Sequence, residues 1–149
     1  MEAYKAAVQA HQEQDLSTAL AKYREVLKLN PGIAAVHNNV AVILLSQGEK
    51  RSAEMSWRMA VRLKSDYAEA HFNLAVLLSE KSDDDLKEAE EHCKLAIDHK
   101  ENYTSAYHLM GNILMSLGRQ VEAAQWYARA EGGAAAAAVR PASDVAAMH

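Results

Sequence analysis

The stretch His37-Asn38-Asn39-Val40-Ala41-Val42-Ile43-Leu44-Leu45 returns as His71-Phe72-Asn73-Leu74-Ala75-Val76-Leu77-Leu78, and the two copies start 34 residues apart. Neither copy alternates apolar and polar residues, so neither reads as a half-buried strand; both keep an apolar face at helical spacing. A fixed period of this size is the signature of stacked helix–turn–helix units. The rest of the chain can be laid out from these two copies.

Glycine and proline are scarce, and long segments keep a helical apolar period, so the chain reads as all-α. The expected helices are Glu2–Gln12, Leu16–Leu29, Ala34–Ser46, Lys50–Leu63, Ala68–Glu80, Leu86–His99, Thr104–Ser116 and Gln120–Glu131. Asn30-Pro31-Gly32 stops the second, because proline lacks an N–H donor and glycine supplies the turn. In the fourth, Ala53, Trp57, Ala60, Val61 and Leu63 are expected to face inward. Two extra residues fall in the run Lys81-Ser82-Asp83-Asp84-Asp85. Acidic and hydroxyl side chains belong at a helix start, where they cap free N–H groups, and Asp85 with Glu88 fits a capping pattern. Gly132-Gly133 is expected to end the last helix. Residues 132–149 are alanine-rich with Pro141 in the middle, and are expected to form a frayed helix or stay disordered.

With 149 residues there is chain enough for one domain with a real core. The net charge of −4 argues against a nucleic-acid binder, which needs a concentrated basic face. The cations Lys50, Arg51, Arg58, Arg62 and Lys64 are interrupted by Glu49, Glu54 and Asp66, and read as a solvated helix face. A single cysteine, Cys93, cannot form an internal disulfide, which fits a reducing compartment. No apolar run reaches the length of a membrane span, and the N-terminus lacks a signal-peptide pattern, so the expected location is cytoplasm or nucleus, without membrane insertion.

The helix pairs share a register. Ala7, Ala41, Ala75 and Gly111 coincide in the first helices; Ala19, Ala53, Ala89 and Ala123 coincide in the second. Tyr23, Trp57, Cys93 and Tyr127 follow four residues later, then Val26, Ala60, Ala96 and Ala130. Two antiparallel helices pack closely only where one side of each contact is small. This pattern resembles the tetratricopeptide repeat family, in four copies over residues 1–33, 34–67, 68–103 and 104–131. The resemblance implies an α-solenoid of four repeats and eight helices, stacked as a right-handed superhelix. There are departures: the early aromatic of each first helix is Ala3, His37, His71 and Tyr107, and Ser65 and Glu101 stand where Pro31 closes the first unit.

In that family the first helices line a concave groove that binds a partner segment. Carried over by register, the groove residues are Tyr4, Val8, Asn38, Asn39, Val42, Leu45, Phe72, Asn73, Val76, His108, Asn112 and Met115, with Lys5, His11, Glu80 and Ser105 beside them. The carboxylate clamp of chaperone adaptors is not reproduced. Its positions carry Tyr4, Val8, Glu69 and Asn73, only Asn39 matches, and Glu69 repels an anion. Asn39 and Asn73 instead resemble the asparagine ladder of the repeats in protein O-GlcNAc transferase. An Asn amide both donates and accepts, so it can pair with a peptide backbone. The competing reading is that these amides satisfy neighbouring backbone carbonyls.

The implied function is a non-catalytic adaptor or scaffold that binds a protein or peptide partner. Alternatives are the substrate-recruiting part of a larger enzyme, such as a glycosyltransferase, or a structural subunit of a ciliary-transport or ubiquitin-ligase assembly. No catalytic motif stands out, and no His, Cys and carboxylate spacing suits a metal, so neither cofactor nor metal is expected. Cys93 reads as a small buried hydrophobe. The uncapped ends of the stack leave self-association open.

Overall fold

The computed structural model describes residues 2–139. Its helices are α1 (Glu2–Gln12), α2 (Leu16–Leu29), α3 (Ala34–Ser46), α4 (Lys50–Leu63), α5 (Ala68–Ser79), α6 (Leu86–His99), α7 (Thr104–Ser116) and α8 (Gln120–Val139). There is no strand among the described residues. Each odd-numbered helix packs against the even-numbered helix that follows it, and each pair packs on the next, which makes an all-α solenoid.

The turns explain where the helices stop. Gly48 and Gly118 sit at φ 82° and 79°, a left-handed conformation that costs glycine little. Gln14 holds the equivalent turn of the first pair at φ 63° with a side chain attached. Asp15 then caps α2, its carboxylate accepting from the Thr18 N–H at 3.3 Å, and hydrogen bonding from the Thr18 side chain and backbone holds its pKa down.

The small residues do what their register requires. Ala7, Ala41, Ala75, Ala19, Ala53, Ala89 and Ala123 are fully buried, and Tyr23, Trp57 and Cys93 fill the space they leave. At Gly111 the approach is closest: a Cβ there would lie 2.4 Å from Cε1 of Tyr127. Tyr127 itself is only partly buried, unlike its equivalents.

Four expectations need correction. Leu63 is exposed rather than inward, as are Arg62 and Lys64 beside it at the end of α4. Helix α5 ends at Ser79, one residue early. Asp83–Asp85 forms a 3-10 turn, and Asp85 makes no cap; its carboxylate accepts from the Ser82 hydroxyl instead. Glu88 is drawn off by Arg58, so the capping pattern has lost both partners. Finally, α8 does not end at Gly132-Gly133 but runs on to Val139. Glycine costs a helix about 1 kcal/mol per residue, while the alanines that follow are the best helix formers. The expectation for residues 140–149 lies outside the described residues.

Candidate functional site

Each second helix carries a large residue whose polar tip must find a partner where it leaves the core. The first-helix asparagines supply three of these partners. Trp57 is 1% exposed, and its Nε1–H donates to Oδ1 of Asn38 at 2.9 Å. Tyr23 is equally buried, and its hydroxyl accepts from Nδ2 of Asn39 at 3.3 Å, with Nδ1 of His11 at 3.4 Å. Burial raises the Tyr23 pKa. In the last repeat the Tyr127 hydroxyl donates to Oδ1 of Asn112 at 2.6 Å. The third repeat has Cys93 instead, whose thiol donates to the Ala106 carbonyl at 3.2 Å; burial pushes its pKa up to about 12.

Asn73 joins the second and third repeats. Its Nδ2 donates to the same Asn38 oxygen at 3.2 Å. Asn38 therefore serves two donors from two different helices. The expected backbone-carbonyl partners are not the ones made: Asn39 and Asn73 bond side chains.

Beyond Asn38 and Asn73, the expected groove residues fall into four groups. Tyr4, Val8 and Asn39 line a cavity of about 370 Å³ with His11, Gln12 and Tyr23. The Tyr4 and Tyr23 rings meet edge-on across it at 6.5 Å. Val42 and Met115 are the exposed apolar residues of the set, at 38% and 48%. Leu45, Phe72 and Val76 are half-buried against the core, Phe72 with its ring 5.1 Å from that of Tyr103. His108 is exposed, its ring tilted against that of Tyr127 at 6.4 Å, beside Asn112. None of the residues beyond Asn39 lines the cavity at Tyr4.

A larger cavity, about 610 Å³, lies elsewhere. Lys50, Arg51, Glu54 and Met55 of α4 form one wall, and Leu77, Glu80 and Lys81 form the other. Of these residues, Lys50 and Arg51 were expected on a solvated helix face. Glu54 is shared by Arg58 at 3.0 Å and Lys81 at 3.2 Å. The cleft is lined by three cations and two carboxylates, so its charges come close to cancelling.

Sequence reasoning also missed His92 as a partner of His71. Their Nδ1 atoms are 2.9 Å apart and their rings stack at 5.2 Å. The available signal was the register, which places Tyr107 and Trp126 at the same two points, with ring centroids 5.8 Å apart. Among the described residues no cluster of three His, Cys or carboxylate groups is placed to hold a metal. No helix there is long and apolar enough to cross a membrane.

The family model for the tetratricopeptide repeat matches residues 4–58. No curated protein matches the sequence. Among solved structures, the chain is similar to MamA, with TM-score 0.83 and 18% identity over 91% of this chain and 78% of that one. It is also similar to MamA from residue 41 onward of Desulfovibrio magneticus RS-1, with TM-score 0.77 and 17% identity over 90% and 75%. The first tetratricopeptide repeat domain of Spaghetti (RPAP3), bound to an HSP90 peptide, gives TM-score 0.71 and 16% identity over 78% and 90%. The matched segment lies within the first two helix pairs, and the same pairing and register run through all four. Residues 4–58 thus match the tetratricopeptide repeat family, and the chain shares its all-α solenoid fold with these solved structures.

Proposed function

We propose that the chain is a non-catalytic interaction module whose α1, α3, α5 and α7 face takes an extended segment of a partner protein. The observation that carries this reading is the exposure of Val42 and Met115 on that face, next to amides that are already oriented by internal bonds. An exposed apolar side chain flanked by fixed hydrogen-bonding groups is the composition of a peptide site: apolar contact gives affinity and the amides give backbone register. The similarity to a repeat domain with a bound peptide supports the class of partner. It does not carry over that peptide's chemistry, since the exposed Glu69 occupies a clamp position and is paired with Lys100 at 3.2 Å.

The test is a pair of surface charges, Val42→Glu and Met115→Glu. Partners captured by the wild-type chain should be lost from each variant, while the thermal midpoint stays unchanged. Partners retained equally by both variants would place the binding face elsewhere.

A further inference from the structure

The third repeat contains a pair of imidazoles, one buried and one half-buried, that the groove does not use. His71 of α5 is 4% exposed. Its Nε2 lies 2.8 Å from the Ser65 carbonyl oxygen, in the link between α4 and α5. A carbonyl only accepts, so this nitrogen carries a proton. When His71 is neutral, its Nδ1 is then a lone pair, facing Nδ1 of His92 at 2.9 Å. Only one hydrogen fits between the two atoms, and His92 must supply it. The far side of His92 faces a carboxylate, with Nε2 3.5 Å from Oε2 of Glu88. Arg58 of α4 holds that carboxylate from the other side, at 2.7 and 3.0 Å.

Three protonation levels follow. With no extra proton, His92 bonds His71 and turns a lone pair toward Glu88. With one, His92 is an imidazolium that donates to both His71 and Glu88. A second proton has to enter on Nδ1 of His71, where it removes the acceptor and sets two N–H groups and two cations against each other. His99 adds to the repulsion on His71.

The neighbouring repeats supply internal controls. His37 makes the same bond one repeat earlier, Nε2 to the Pro31 carbonyl at 2.8 Å, but Ser56 stands at the position of His92. In the last repeat Tyr107 and Trp126 form the ring pair, and neither is an imidazole. The third repeat alone combines the carbonyl bond with a second imidazole.

We propose that His71 and His92 form a proton-operated latch in the third repeat, which holds α5 to α6 with at most one extra proton and opens when acidification delivers the second. The solenoid then loosens at the junction between its second and third repeats, because Ser65, His71, Glu88 and Arg58 belong to both sides of it.

Burial lowers the pKa of both imidazoles, with charge from His71 adding to the shift at His92 and Glu88 opposing it. The unfolded or opened chain therefore binds more protons. Stability is complete above the ordinary histidine pKa of about 6.5 and falls as the pH drops through it toward the lowered folded values. Glu88 stays ionised in this window, since its hydrogen bonds from Arg58 hold its carboxyl below the usual range.

The experiment compares the wild type, His92→Ser and His71→Tyr with His92→Trp. The first variant transplants the second repeat's arrangement into the third, and the double variant transplants the fourth's. Amide exchange in α5 and α6, corrected for intrinsic rates, is followed from pH 7.5 to 5.0. In the wild type, protection falls by up to tenfold per pH unit for each excluded proton. His92→Ser keeps at most one proton's share, and the double variant is flat. A flat wild type overturns the proposal, as does a slope that survives in the double variant. If the double variant does not fold, equal slopes in wild type and His92→Ser overturn it as well.

Discussion

Asn38 is the side chain whose removal tests the packing argument most directly. Its oxygen accepts from Trp57 at 2.9 Å and from Asn73 at 3.2 Å. Trp57 is 1% exposed, so its indole N–H has no route to bulk water once the acceptor is gone. An orphaned buried donor costs about 1–3 kcal/mol, and the bond from half-buried Asn73 contributes about 1 kcal/mol more. Asn38→Leu keeps the branched shape and removes the acceptor; a loss of about 2–4 kcal/mol is expected. Asn38→Asp keeps an acceptor oxygen and should lose less. The decisive step is a double-mutant cycle with Trp57→Phe, which deletes the donor. If the penalty comes from the orphaned N–H, Asn38→Leu becomes cheaper in the Phe background by about 1–2 kcal/mol. Urea denaturation followed by far-UV circular dichroism measures this at constant m-value, without interference from Trp126. An Asn38→Leu variant within about 0.3 kcal/mol of wild type, or strictly additive effects, would refute the reasoning.

Two further outcomes follow from the core. Cys93 is fully buried with its pKa pushed up to about 12, so a thiol reagent should label it only as the chain unfolds; rapid labelling of the native protein at pH 8 would contradict its burial. Gly111→Ala forces the Tyr127 ring to move, at about 1–3 kcal/mol for overpacking, against about 1 kcal/mol gained in helix propensity. It should destabilise the wild type and stabilise a Tyr127→Ala background by about 1 kcal/mol, a sign reversal that thermal or urea unfolding reads directly.

The helix boundaries were legible because the stops are local. Pro31-Gly32, Gly48 and Gly118 act on their own neighbours, and every interior helix began where expected. The acidic run at Asp83–Asp85 was misread because a capping pattern names a residue type, while the partner is chosen in space. Arg58 comes from another helix, and its bidentate grip on Glu88 outcompetes a cap. The end of α8 was misread for a different reason: two glycines lower helix propensity, but propensity is a weak prior against a run of alanines. The His71–His92 pair was latent in the register. Comparing His92 with Ser56 and Trp126 required knowing that those points face the early first-helix position across each repeat.

The asparagines show why a structural role and a binding role need not compete. An amide has two N–H donors and an acceptor oxygen. Asn39 spends one donor on Tyr23, and Asn73 spends one on Asn38. These bonds fix each amide's rotamer before a partner arrives, so a peptide unit that pairs with the rest of the amide does not bear the entropy of ordering it. The same economy makes the asparagines poor probes of function. Removing Asn73 breaks a link between repeats, and a loss of binding would then follow from either cause. Val42 and Met115 make no such link, and they are exposed. A charge placed there leaves the fold's bonds intact and alters only what the face presents. Binding that survives Val42→Glu but fails in Asn73→Ala would therefore mean that partner recognition depends on the shape of the stack and not on this face.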